Sequence, residues 1–286
     1  MAGGAPPPRF PFVQFEFAFP LGPADGRYVT RGEAGGDPER VVVLRTVGAP
    51  RRSRLSRRSR KVEGGADPEA VPTVRATVIG LERLESDSDA EAWLDRLAGD
   101  ADALDAHAAS AARELNALLR AHRAAAADPH VRDVAPAGAT SVRIGWGTGD
   151  EVAEGRFSAA RELPPPSPRS RTRRRAEALV PDERLAALLG RREDVMACEE
   201  LVLRARADLD AGRPREAALQ TRVALEAALA ELGDEPELGG FRDDVARAAN
   251  ASLRGEPDAE LQGKVAEAVA AVERALRRRR VGKQQQ

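Results

Sequence analysis

The chain of 286 residues contains one cysteine, Cys198. A single thiol excludes an internal disulfide framework and a cysteine-based metal site, and it fits a reducing compartment. Aromatic residues are only 3% of the sequence. The 42% that is hydrophobic must therefore build its core from Ala, Leu and Val. Lysine occurs only as Lys61, Lys264 and Lys283, so nearly every positive charge is arginine. With abundant Ala and Gly this fits GC-rich codon usage, and the preference for Arg over Lys carries little weight about function. No run approaches the ~18 apolar residues of a membrane span. The opening MAGGAPPPRFPFVQF has proline where a signal peptide needs an apolar helical stretch, so a cytoplasmic location is expected.

Histidine is scarce as well. His107, His122 and His130 form no H-x-x-x-H pair, and no two fall on adjacent helical turns. A metal would need its ligands from elsewhere, so no metal and no cofactor are expected. His107 can be drawn as an acid/base pair with Asp105 or Glu114, but charged helix faces produce such neighbours routinely. Glu199-Glu200, Asp243-Asp244 and Asp208 with Asp210 read as solvated helix faces rather than paired catalytic carboxylates. Arg222 and Glu226 form an ordinary i,i+4 pair.

What is present is a change of pattern along the chain. Val13, Phe15, Phe17 and Phe19 alternate with other residues as in a half-buried strand. Residues 20–26 carry turn chemistry, and residues 27–31, 40–47 and 73–81 read as further strands. Ser88-Asp89-Ala90-Glu91 matches a capping box that opens a short helix with Trp93, Leu94 and Leu97. A longer helix is predicted over residues 100–127, with Leu104, Ala108, Ala111, Leu115, Leu118 and His122 on one face. Asp128-Pro129 ends it. Residues 142–146 return to strand character, and residues 154–157 turn into another short extended piece.

The expected fold class is α+β: a β-rich N-terminal domain with two inserted helices, followed by a C-terminal all-α bundle of helical hairpins. The predicted organisation is an α+β domain over 1–163, with an Arg-rich loop at 51–61. A Pro/Arg-rich linker follows at 164–176, then a bundle of two hairpins at 177–276 and a basic tail at 277–286. The proline run that begins at Pro164 marks the boundary, and everything after Arg175 reads as helix.

Within the bundle, Val202, Arg204, Ala205, Gly212 and Pro214 are matched 43 residues later by Val245, Arg247, Ala248, Gly255 and Pro257. After a one-residue slip, Leu219-Gln220 and Val223-Ala224 match Leu261-Gln262 and Val265-Ala266. Each copy reads as helix, Gly-x-Pro turn, helix. In the first copy Gly212, Ala217 and Ala224 resemble the small-residue positions of a tetratricopeptide repeat. The resemblance covers about 25 residues, less than one repeat, and the second copy has Glu260 where that motif has Ala. A tetratricopeptide array would imply peptide binding in a groove; this fragment implies only a helical hairpin. The repeat region holds no histidine, which disfavours the Arg-to-His motif of ribonuclease-type helical hairpins.

Gly145-Trp146-Gly147-Thr148-Gly149-Asp150 follows a predicted strand, as a phosphate loop would. Asp150 occupies the third glycine position and no apolar helical stripe follows, so a glycine-rich turn or bulge is expected. Gly263-Lys264 is no Walker motif, since Asp258 stands at the upstream glycine and Val265 replaces Ser/Thr.

The net charge of −1 conceals three basic segments. Residues 51–61, 169–175 and 277–283 carry seven, five and five positive charges with no acid, leaving the rest of the chain at −18. Residues 177–276 alone carry −9. Such segments either stay solvated or fold back on acidic helices, or they contact a polyanion, nucleic acid or an anionic membrane; the candidate contacts are Arg51, Arg52, Arg54, Arg57, Arg58, Arg60, Lys61, Arg171, Arg173, Arg174 and Arg175. No interleaved aromatics support base stacking.

With no catalytic constellation in the sequence, the leading expectation is a non-enzymatic interaction or scaffold protein that uses its C-terminal hairpins to bind a protein partner. The alternatives are a polyanion-associated protein and an enzyme whose site does not show in sequence. Oligomeric state is not legible.

Overall fold

The computed structural model describes residues 7–31, 36–48, 73–164, 184–233 and 235–284, with side chains to residue 280. The chain divides into two compact units, residues 1–168 and 169–286.

The first unit is a six-stranded antiparallel sheet in the order β2-β3-β4-β1-β5-β6. Its strands are β1 (Arg9–Phe17), β2 (Gly26–Thr30), β3 (Arg40–Val47), β4 (Thr73–Gly80), β5 (Ser141–Thr148) and β6 (Ala159–Glu162). Alternation along β1 divides its side chains between the two faces. Val13, Phe15 and Phe17 join Val42, Leu44, Ala76, Val78, Val142 and Ile144 in the main core. Phe12 joins Val43 and Ile79 in a smaller cluster. The strand stops at Phe17, so Phe19 is 44% exposed, although its ring still lies 5.3 Å from that of Phe17. β1 also begins earlier than its alternation suggests and runs through Pro11. That proline sits just past the last β1–β4 pair, Phe12 with Ile79, where the ladder no longer needs its missing N–H.

Two helices between β4 and β5 contribute to the main core: α1 (Asp87–Ala98) and α2 (Ala101–Ala126). The cap of α1 is Ser86, two residues before the expected Ser88. Its Oγ accepts from the Asp89 N–H at 3.1 Å and donates to Asp89 Oδ2 at 2.6 Å. Ser86-x-x-Asp89 therefore does what Ser88-x-x-Glu91 was expected to do. The buried stripe of α2 is Ala108, Ala111, Ala112, Leu115, Asn116 and Leu119. Leu118 and His122 are only half-buried, because the stripe drifts around the helix as 3.6-residue periodicity requires. Asn116 pins the following segment by exchanging hydrogen bonds of 2.8 and 2.7 Å with the backbone of Val134.

The 145–150 segment is neither a turn nor a bulge. β5 continues through Gly145 and Gly147 and passes directly into α3 (Gly149–Ala153). A Cβ on Gly145 would stand 2.2 Å from the Ala159 carbonyl, and one on Gly147 would stand 2.9 Å from Val152. These glycines let β6 and α3 approach closely.

The second unit contains α4 (Ala197–Asp210), α5 (Pro214–Leu232), the single turn α6 (Pro236–Gly239), α7 (Arg242–Ser252) and α8 (Ala259–Gln284). It is not helical throughout. A helical turn at 184–189 is followed by non-helical chain up to α4. Its core is small and aliphatic: Ala205, Ala224, Ala228, Ala268 and Ala275 sit among Val202, Val245, Val269 and Val272.

Both hairpins form, and their first helices correspond: Val202 and Ala205 are buried, as are Val245 and Ala248. Their turns do not. Gly212 has φ +66°, and Pro214 is the first residue of α5, whereas Gly255 is not left-handed. There Asp258 caps α8 by accepting from the Leu261 N–H at 2.9 Å. The proposed match of Val223 with Val265 pairs an exposed residue with a buried one. Burial aligns 44 residues apart instead, with Thr221, Ala224, Leu225 and Ala228 answering Val265, Ala268, Val269 and Val272. α8 also continues through the basic residues 277–280.

Candidate functional site

The eleven residues assigned to polyanion contact, in 51–61 and 171–175, lie outside the described residues. Part of the third basic segment is described, and there two arginines are already engaged. Arg278 pairs with Glu235 at 3.0 Å and Glu237 at 3.5 Å, and Arg280 reaches Glu199 at 3.0 Å. Arg274, one turn earlier, pairs with Glu237 at 2.6 Å.

Glu199 is the most buried charged side chain among the described residues, at 3% exposure. It accepts from Arg184 at 2.7 and 2.8 Å, from Arg280 at 3.0 Å and from the Met196 N–H at 3.3 Å. Burial pushes its carboxyl up, but the two arginines outweigh that and hold it below the usual carboxylate range. The expected solvated face at Glu199-Glu200 is thus divided: Glu200 is exposed and pairs with Arg204, while Glu199 is a buried clamp. Beside it, Glu231 accepts from the N–H groups of Ala197 and Cys198 at 3.0 and 2.9 Å and so caps α4 from α5. Cys198 is fully buried, and burial together with Glu231 pushes its thiol up to about 12. Such a thiol is inert at neutral pH.

The sheet carries a comparable arrangement. Glu16 on β1 lies between Arg75 on β4, at 2.9 Å, and Arg143 on β5, at 3.1 Å. Gln14, which is buried, donates to Thr77 Oγ1 at 3.2 Å. Burial raises Glu16, and the two guanidinium groups more than reverse it, so its carboxyl lies below its ordinary value.

The phosphate-loop geometry is closed off by the chain itself. The Glu151 carboxylate accepts from the Thr148 N–H at 3.3 Å and from its hydroxyl at 2.9 Å. An anion at the start of α3 would meet that carboxylate. The histidines take separate positions. His107 meets Trp93 edge-on at 5.8 Å, His122 lies near Gly22, and His130 is exposed after α2. Neither Asp105 nor Glu114 hydrogen-bonds His107. Among the described residues no three His, Cys, Asp or Glu side chains converge as a metal site, and no helix is long and apolar enough to cross a membrane.

Three recesses in the first unit bear on ligand binding. One of about 590 Å³ is lined by Asp105, Thr140, Ser141, Glu162 and apolar residues. Its hydroxyls are already used, by the Glu16 carbonyl and the Glu162 carboxylate. Another, of about 470 Å³, is walled mainly by Phe17, Phe19, Leu21 and Val131. The smallest, about 210 Å³, lies where β1 and β4 part and gathers Arg40, Trp93, His107 and Ser110. Sequence spacing gave no sign of this grouping, since β3, α1 and α2 each supply part of it. The chain matches no protein-family model, no curated protein and no solved structure.

Proposed function

We propose that the protein is a non-enzymatic interaction protein and that the outward side of its first helical hairpin carries the protein contact. The supporting observation is on α5. Its inward stripe is filled by Ala217, Ala218, Thr221, Ala224, Leu225 and Ala228, yet Leu219 and Val223 are 39% and 54% exposed one turn apart on the other side. Apolar side chains at i,i+4 that lie off the packed stripe and keep much of their surface in solvent are available to a partner. The test is affinity capture from native extract with the full chain and with a Leu219→Asp/Val223→Asp variant. A partner held by the wild type and lost by the variant, at unchanged melting temperature, supports the reading. An identical set of captured proteins overturns it.

A second reading, polyanion contact through the Arg-rich segments 51–61 and 169–175, is favoured by charge segregation. The described part of the third segment spends Arg278 and Arg280 on internal glutamates. The other two segments hold twelve positive charges without an acid. Salt-titrated binding to RNA, DNA and anionic vesicles tests it. Absence of binding at low salt removes it, because counterion release makes that the most favourable condition.

A further inference from the structure

The recess where β1 and β4 part has the components of a ligand site in a different unit from the hairpin surface. The antiparallel register places Arg40 between Thr30 on β2 and Gly80 on β4. A Cβ on Gly80 would lie 3.4 Å from Arg40 Nη1 and 3.2 Å from the Pro11 ring. The missing side chain leaves the lane that the guanidinium occupies. Arg40 forms no ion pair among the described residues. Its one hydrogen bond there, to the Glu39 carbonyl, is long at 3.4 Å. A half-buried cation without a counter-charge is unfavourable and is relieved by an anion.

Further donors approach from the helices. His107, Ser110 and Ala111 follow one another at three- and four-residue spacing on the face of α2 that lines the recess. Neither ring nitrogen of His107 nor the Ser110 hydroxyl has a hydrogen-bond partner among the described residues. Burial and the nearby Arg40 charge push the His107 pKa down, which keeps the ring a neutral donor or acceptor. Trp93, Leu84 and Val78 supply an apolar wall. Glu82 and Arg83 are exposed at the rim, with charges that offset each other. Two buried polar atoms in the same row of the sheet, Thr30 Oγ1 and Trp146 Nε1, also lack partners.

We propose that this recess binds a compact organic anion, a carboxylate or phosphate monoester with an apolar body. Arg40 grips the oxyanion with its planar fork, Ser110 and His107 donate to it, and Trp93 walls the body. At about 210 Å³ the recess is small, which suits a single-ring anion.

The test uses the full chain with benzoate, phenyl phosphate and inorganic phosphate, followed by calorimetry and tryptophan fluorescence. Saturable binding of benzoate or phenyl phosphate is expected, weakened ten- to a hundredfold by Arg40→Gln. Arg40→Lys keeps the charge but loses the fork, so it should fall between wild type and Arg40→Gln, and it serves if the glutamine variant does not fold. No saturable binding of either aromatic anion up to about 10 mM, or undiminished binding in the Arg40 variant that folds, overturns the proposal. Inorganic phosphate binding as tightly as phenyl phosphate overturns the role of the apolar wall.

Discussion

The two units solve the same packing problem with different materials. Nine of the ten aromatic residues lie in the first 163 positions, and only Phe241 lies in the helical unit. In the sheet, Phe12, Phe15 and Phe17 are completely enclosed and each covers a large area. In the bundle, alanines and valines do the work by letting helix backbones approach. Large side chains stabilise through apolar area, so the sheet should suffer most from truncation. Small side chains stabilise through close approach, so the bundle should suffer most from enlargement.

Both units also hold a glutamate between two arginines, half-buried in the sheet and buried in the bundle, by different routes. Glu16 meets Arg75, its direct partner on β4, and Arg143, which stands diagonally on β5 opposite Gln14. Glu199 meets Arg184 and Arg280, which lie 15 and 81 residues away. The first clamp is a local consequence of sheet pairing. The second ties the helical turn at 184–189 and the basic end of α8 to the start of α4.

Two built-in reporters allow the comparison to be broken. Trp93 and Trp146 both lie in the first unit, and Cys198 lies in the second. The largest effect is expected from Phe15→Ala, a loss of about 4 kcal/mol. It should shift the urea midpoint read by tryptophan fluorescence while leaving Cys198 as resistant to a thiol reagent as in the wild type. Equal shifts in both signals would show that the units unfold together. Next is Ala205→Leu, expected to cost about 2 kcal/mol by overpacking and to expose Cys198 at lower urea without moving the tryptophan transition.

Glu199→Gln follows, at about 2 kcal/mol, because it leaves Arg184 and Arg280 without their buried counter-charge. Glu16→Gln should cost nearer 1 kcal/mol, since its carboxylate is 19% exposed against 4% for Glu199 and keeps some hydration. Both carboxyls lie lower in the folded than in the unfolded chain. Each therefore stabilises fully above the unfolded value of about 4.3, and that stabilisation fades as pH falls through the folded value. The difference between wild type and either variant in urea midpoint should be largest at neutral pH and vanish in acid. A difference that grows in acid would contradict the clamp. The smallest effect is expected from Leu219→Asp/Val223→Asp, within about 0.5 kcal/mol, despite the loss of two apolar side chains. A large loss would place these residues in the packing of the bundle.

Several of these features are legible in sequence because their causes are local. The strand at 40–47 follows from a β-branched run, and the break after α2 follows from Asp128-Pro129. Other features escape for lack of a local signal. Ser86 and Ser88 both begin plausible capping boxes, and only the chain entering from β4 decides between them. The apparent repeat aligns Val223 with Val265 by identity, but helix rotation sets burial, and the different turns at Gly212 and Gly255 change that rotation. Glycines at 145 and 147 suggest a turn in isolation, and their need becomes visible only when β6 lies against β5.

Composition and periodicity by themselves determined that this chain divides into a sheet-bearing part and a helical part, since both signals act between near neighbours. They also determined that charge is segregated into basic segments and an acidic remainder. Tertiary structure alone decided which charges are spent: Glu199 and Arg280 meet across 81 residues, and Arg278 meets Glu235 across 43. It alone placed Arg40 opposite Gly80 and brought the His107 face of α2 to the same recess. A side chain's partners depend on which elements pack together and in what register, and no spacing along one segment encodes that.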